Sequence, residues 1–394
     1  MPWQEVTVMS QRKEFVGLAL SEGANIRELC RRLGISHVTG YKWLRRYRHS
    51  GESGLLDQSR RPLRSPGRTP PEVEQALLEA RSAHPNWGAR KLRRWLLDRK
   101  DVFEADMPAP STITAILQRN GRIDPLEASK RRPYVRFEHE SPNLLWQMDF
   151  KGHFPLTSGG RCHPLTVLDD HSRFAVALEA CGDEQSTTVR KRLTSAFRTY
   201  GLPQRMLMDN GPPWGSDLIH THTSLTVWLL RLGVGVSHGR PYHPQTQGKD
   251  ERFHRTFKAE VLQGHSFSDL DYCQRRFSPW RDVYNLERPH QALDFATPAS
   301  RYQISVRPFP EALPPIEYGP DDHVRRVQDH GVISFQGKPY RVGKAFRSMP
   351  VAVRATATDG FWDVFFISHK IAEIDQNKDP LTTTNVLTMS PNTR

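Results

Sequence analysis

The hydrophobic period of the chain changes near residue 143, and no other feature limits its fold as much. Upstream, apolar residues recur every three to four positions, as on one face of a helix. Downstream, short apolar runs bounded by turn residues alternate with helical segments. LLWQMDF, PLTVLDD and RFAVALEA read as strands and STTVRKRLTSAFRTYG as a helix. RMLMDNG is a strand, LTVWLLRLG a helix and GVSHG a short strand, and HPQTQGKDERFHRTFKAE closes the set with a helix. The stretch from 143 to 305 is therefore expected to be a mixed α/β domain. From 320 to 376 the pattern is β-rich: HVRRV, VISFQ, KPYRVG, PVAVRAT and FWDVFFI are separated by turn signals, including Asp359-Gly360 at a hairpin, and a small all-β barrel is expected. Residues 377–394, rich in Thr and Asn, have little to bury and are expected to be disordered.

The first third is helical. In ANIRELCRRLGISHVTGYKWLRRYRHSG, Asn25 followed by Glu28 resembles a capping box, Ile26, Leu29 and Leu33 form an apolar face, Gly34 breaks the helix and Ser36 caps the next. This is helix-turn-helix spacing, which makes residues 1–50 a candidate DNA-binding domain. Ser36, His37, Thr39, Lys42, Arg45 and Arg46 are its candidate base and phosphate contacts, with Tyr41 beside them; a small bundle with a basic outer face is the alternative. Residues 51–70 (GESGLLDQSRRPLRSPGRTP) read as a basic linker, in which Arg60 and Arg61 can track a DNA backbone. Residues 71–125 read as a second helix-turn-helix-like module with Ser111 as an N-cap, although a purely structural helix pair fits nearly as well.

Charge supports a polyanionic partner. Lys and Arg exceed Asp and Glu by 56 to 43, and residues 1–140 hold 26 basic and 17 acidic side chains, so +9 of the net +13 lies there. Cys30, Cys162, Cys181 and Cys273 form no C-x-x-C pair, which argues against a structural zinc site or a disulfide scaffold. No charge-free apolar run approaches the ~18 residues of a membrane span, no signal-peptide pattern is read, and no Walker-type phosphate loop suggests an ATP-driven step. A cytoplasmic, DNA-associated protein is expected.

Three acids stand at element ends: Asp149 in WQMDFKG, Asp209 in LMDNG and Glu251 in GKDERFH. An acid on an otherwise apolar strand is costly to bury without a partner, and a metal ion would supply one. Three converging carboxylates suit two magnesium ions roughly 3.5–4 Å apart, one beside the attacking oxygen and one beside the leaving oxygen. Asp169 and Asp170 either orient ligands or close a turn before Ser172, the turn being favoured, and His220 and His222 are read as surface histidines rather than a zinc site.

WQMDFKG, VLDDHSRF, LMDNGPP, RPYHPQTQGKDERFHRTFKAE and YNLERPHQALDFATPASRY, in that order, resemble the integrase core of bacterial insertion-sequence transposases, relatives of retroviral integrases. The likeness extends to the N-terminal modules and the C-terminal β region. It implies a multidomain protein with all-α helix-turn-helix modules, a central RNase H-like α/β core and a small SH3-like barrel. It also implies Asp149, Asp209 and Glu251 as both catalytic and metal-binding residues, with two Mg²⁺ or Mn²⁺ ions per site. Partners would be double-stranded DNA, both element ends and target, and further copies of the chain in a homodimer or larger oligomer. A catalytically silent or domesticated DNA-binding regulator, and a metal-dependent nuclease without strand transfer, are the alternatives.

Within the last helix, Phe253, Phe257 and Val261 form an apolar stripe, while Glu251 and Lys258 share a polar line flanked by His254 and Arg255. Glu251 is thus the expected metal ligand, and Lys249, Arg255 and Lys258 are candidate DNA contacts. Asp250 falls nearer the stripe and is expected to be a structural neighbour that interacts with the helix N-terminus.

Overall fold

A computed structural model describes residues 7–58, 68–123, 138–209, 211–215, 222–238, 248–378 and 384–385. The chain divides into two compact units, Met1–Arg68 and Thr69–Arg394.

In the first unit, α1 (Val8–Ala19), α2 (Ile26–Arg32) and α3 (His37–Ser50) enclose Phe15, Val16, Cys30, Trp43, Leu44 and Leu55. The expected caps are in place: Asn25 Oδ1 accepts from the Glu28 N–H and Ser36 Oγ from the Thr39 N–H, each at 3.2 Å. Glu28 does not complete a capping box but pairs with Arg31 at 2.8 Å. Gly40 lets α3 approach its neighbours, since a Cβ there would lie 2.4 Å from Cys30 Sγ and 2.8 Å from the Phe15 ring. The expected linker begins later than residue 51: Gly51–Leu55 is a 3-10 turn that buries Leu55, whose carbonyl accepts from Arg12 Nη1 at 2.8 Å. Arg60 and Arg61 lie outside the described residues.

The second unit opens with α4 (Pro71–Ala83), α5 (Ala89–Asp98) and α6 (Pro110–Arg119), packed around Leu77, Trp87, Leu92, Leu96, Ile113 and Ile116. Proline begins both α4 and α6, where its missing N–H costs nothing. Ser111 is not a cap: Pro110 already occupies the first turn and Ala109 stands at the cap position.

The α/β region runs β1 (Leu145–Phe150), β2 (Phe154–Pro155), β3 (Arg161–Asp169), β4 (Ala175–Cys181), α7 (Ser186–Tyr200), β5 (Arg205–Met208), α8 (Ser224–Arg231), β6 (Gly235–His238), α9 (Gly248–Phe257) and α10 (Leu270–Asp282). Its sheet is mixed. β1, β3 and β4 pair antiparallel, whereas β1, β5 and β6 pair parallel in the order β2-β3-β1-β5-β6, with β4 also on β3. Alternation sends Leu165 and Val167 to the face covered by α7 and α8, and Cys162 and Leu168 to the face covered by α9 and α10. The stripe of Phe253, Phe257 and Val261 packs on the second face, and α9 continues into a π-helical turn, Lys258–Leu262.

A connecting segment is tied to this core by Arg307, whose guanidinium donates to the carbonyls of Pro203, Leu232 and Gly233. Beyond it lie β7 (His323–Arg326), β8 (Val332–Phe335), β9 (Lys338–Arg341), β10 (Pro350–Ala355), β11 (Phe361–Phe366), β12 (His369–Asp375) and β13 (Thr384–Asn385). Asp359-Gly360 does turn between β10 and β11, with Gly360 at φ +79°. The expected closed barrel is not formed among the described residues. A five-stranded sheet, β13-β12-β11-β10-β7, stands beside a separate β8-β9 hairpin, and a 3-10 turn at Lys344–Phe346 lies between β9 and β10. Part of the expected disordered tail, Thr384–Asn385, pairs with Ala372 and Glu373; residues 379–383 and 386–394 lie outside the described residues. Among the described residues, no helix is long and apolar enough to cross a membrane.

Candidate active site

Parallel pairing of β1 with β5 aligns Gln147 with Leu207, and two residues further along each chain stand Asp149 and Asp209. Both are partly buried, and both carboxyls are pushed above the ordinary range. Burial and then the charge of Asp209 push Asp149 up to about 7, while burial is the main cause at Asp209. Asp209 Oδ1 accepts from the Gly211 N–H at 3.1 Å, and its carbonyl accepts from His238 Nδ1 at 2.8 Å. Glu184, bonded to His163 Nδ1 at 2.8 Å, adds negative charge near both acids; nothing in its turn-like sequence context announced it.

Behind Asp149 the sheet supplies Thr166, its antiparallel partner on β3. The Thr166 hydroxyl donates to the Asp149 carbonyl at 2.9 Å and lies 2.8 Å from His254 Nε2. With its one proton committed to the carbonyl, Thr166 must accept from the ring, so His254 carries its hydrogen on Nε2. Burial lowers the His254 pKa to about 3, and its bare Nδ1 stands 3.9 Å from Asp149 Oδ2.

The two adjacent acids of α9 part company. Glu251 is 67% exposed and paired with Arg255 at 2.8 Å. Asp250 is 1% exposed, and neither of its oxygens has a hydrogen-bond partner. Burial, then the charges of Asp149 and Asp170, raise its pKa well above the usual carboxylate range, with Lys249 opposing. The sequence placed Asp250 near the apolar stripe but expected it to serve the helix N-terminus; the sheet buries it instead.

Lys249, a candidate DNA contact, points inward. Its Nζ lies 2.5 Å from Asp170 Oδ1 and donates to the Asp170 carbonyl at 3.1 Å, and burial lowers its pKa to about 8. Asp170, 2% exposed, also accepts from Gln147 Nε2 at 2.7 Å and from the His139 N–H at 3.0 Å. Asp169 closes the turn as expected, accepting from the N–H and hydroxyl of Ser172. Arg255 and Lys258 remain exposed on α9 and its π-helical extension. His222 departs from its expected surface setting: it is half-buried against Phe346 with neither ring nitrogen hydrogen-bonded, and His220 lies outside the described residues. Among the described residues, no three His, Cys, Asp or Glu side chains are grouped closely enough to hold a metal ion.

In the first unit, His37, Lys42 and Arg45 are exposed along α3. Arg46 and Lys42 lie over the Trp43 ring at 5.2 and 5.1 Å, Ser36 is used as the cap, and its hydroxyl is 2.9 Å from that of Thr39.

The chain joins helix-turn-helix modules to a mixed α/β core with paired strand-end acids, and known proteins share these parts. Residues 139–244 and 232–298 match integrase core domains, and 322–381 match the C-terminal domain of IS481 family transposases. Residues 11–62 match a helix-turn-helix domain and 39–117 a homeodomain-like domain. An uncharacterized 31.7 kDa protein of insertion element IS407 from Burkholderia multivorans is 30% identical over 176 residues, which is 43% of this chain and 61% of that protein. An uncharacterized 39.2 kDa protein of insertion element IS476 from Xanthomonas euvesicatoria is 26% identical over 231 residues, 57% of this chain and 62% of that protein. The chain thus spans about three fifths of the length of these relatives. A magnesium-bound catalytic core of the HTLV-2 integrase aligns at 15% identity over 42% of this chain and 99% of that one, with a TM-score of 0.32, too low to bear on the site. The resemblance read from the sequence is borne out: the domains of the chain are similar to those of insertion-sequence transposases, with an integrase-like core.

Proposed function

We propose that this protein binds the terminal inverted repeats of its own mobile element, cuts a phosphodiester bond at each end and joins the freed 3′ hydroxyl to target DNA. The observation that carries this reading is the proximity of Asp149 and Asp209 at the ends of neighbouring parallel strands, where burial raises both acids and the charge of Asp209 raises Asp149 further. Oxygen donors with excess negative charge fit a hard divalent cation, Mg²⁺ or Mn²⁺. Asp149, Asp209 and Glu251 would hold it on an RNase H-like core; when bound, it would lower the pKa of water and offset charge on the leaving oxygen. Hydrolysis forms a bond from water oxygen to phosphorus and breaks the bond to the 3′ oxygen, leaving a 3′ hydroxyl; joining repeats the exchange with that hydroxyl as attacker.

The protein's own groups orient this centre. Thr166 and His254 fix the backbone and flank of Asp149, and Gly211 and His238 fix Asp209. The exposed basic face of α3 would read the repeat, Arg255 and Lys258 would contact the end beside the carboxylates, and more than one copy would hold two ends in a cytoplasmic assembly. The test is a duplex carrying an element end, incubated with the protein, Mg²⁺ and a plasmid. Nicked and joined products support transposition, nicks alone favour a nuclease, and binding alone favours a regulator.

A further inference from the structure

Asp250 is an acid beside the site that the chemistry above leaves without a role. It is 1% exposed and both of its oxygens lack partners, a state a carboxyl rarely tolerates in either charge form. Ionised, it needs a cation; protonated, it still needs an acceptor for its O–H.

Its direction follows from the helix. Asp250 and His254 are four residues apart on α9 and so lie one above the other. His254 reaches Asp149 and Thr166 on the underlying strands, so Asp250 faces the same strands one turn earlier, where it senses the charges of Asp149 and Asp170. Three nearby groups that could neutralise it are committed: Lys249 is paired with Asp170, Arg255 with Glu251, and the His254 ring is neutral. The charge of Lys151 reaches Asp149 and His254.

We propose that Asp250 is a ligand of the divalent cation held by Asp149, approaching it from the buried side of α9 while Glu251 approaches from the exposed side. This rests on the reading of Asp149 as a metal ligand. Carboxylate oxygens, with water or a DNA phosphate completing the shell, are the usual complement for magnesium. The assignment also explains why an acid stands on the helix's inward face, one turn before Phe253 and two before Phe257.

The experiment uses the full chain and Mn²⁺ alone, with affinity read by electron paramagnetic resonance and stability by thermal unfolding with and without the ion. Wild type should bind. Asp149→Asn should lose binding, and Asp250→Asn should weaken it by about tenfold or more. Asp250→Val, which removes a buried unpaired carboxyl, should melt higher than wild type without Mn²⁺ yet lose the rise in Tm that Mn²⁺ gives wild type. If Asp149→Asn loses Mn²⁺ while both Asp250 variants bind it as wild type does, Asp250 is not a ligand and only the proposal fails. If wild type does not bind, or Asp149→Asn binds normally, the cation site itself is misplaced and the proposal falls with it.

Discussion

Lys249 and Asp170, 79 residues apart, form an ion pair at 2.5 Å with the lysine 18% and the aspartate 2% exposed. The pair ties the start of α9 to the turn between β3 and β4, and Gln147 extends the tie to the strand that carries Asp149. Lys249 precedes Asp250 and Glu251, so this contact sets where both acids begin.

Removing Lys249 leaves the buried Asp170 without its countercharge, with only Gln147 and the His139 N–H still donating to it. Lys249→Met should destabilise the second unit by about 3 kcal/mol in urea unfolding. If Lys249 served DNA instead, the variant would keep its stability and lose only affinity for the duplex.

Asp149 makes the stability of the cation-free protein depend on pH. Its folded-state pKa, raised to about 7 from 3.8, means the native state holds a proton that the unfolded chain has released. The corresponding stability is fully present below about pH 4 and is lost as pH rises through about 7. With chelator present, wild type should lose stability between pH 5 and 8 more steeply than Asp149→Asn. Equal slopes in denaturant titrations at the two pH values would contradict the assignment.

Ser36 caps α3. Ser36→Ala removes an acceptor for the Thr39 N–H and should cost about 1 kcal/mol in the first unit. Calorimetry of the full chain should show the change, and Ser36→Asp, which restores the acceptor, should recover most of it.

Arg45 is exposed on α3. Arg45→Ala should leave Tm within about 1 °C of wild type, weaken binding to an element end and reduce the slope of log affinity against log salt by about one, the mark of a single phosphate contact. An unchanged slope with altered preference among end sequences would make it a base contact instead.

Much of the architecture was legible because periodicity is local. The strand-helix alternation after residue 143, the caps at Asn25 and Ser36, and the Asp359-Gly360 turn all follow from neighbours in sequence. Asp149 and Asp209 stood out because an acid ending an apolar strand needs a reason. What stayed hidden depends on distant partners. Lys249 looked like a surface cation because Asp170 is far away in the chain, and Leu55 looked like linker because its contacts come from α1. Asp250 fell near the apolar stripe on helical angle alone, but only the packing of α9 on the sheet shows that neither of its oxygens has a hydrogen-bond partner. Barrel closure likewise depends on which strands pair, which strand patterns do not encode.

The central claim is cation-dependent cutting by the strand-end acids, and the most direct measurement is Mg²⁺-dependent nicking of an end-labelled element-end duplex by wild type and Asp209→Asn at matched DNA occupancy. Loss of several kcal/mol of cation-supplied stabilisation predicts a fall of at least about a thousandfold in nicking rate, with binding retained. Equal nicking by the two proteins, or none by wild type, would contradict it.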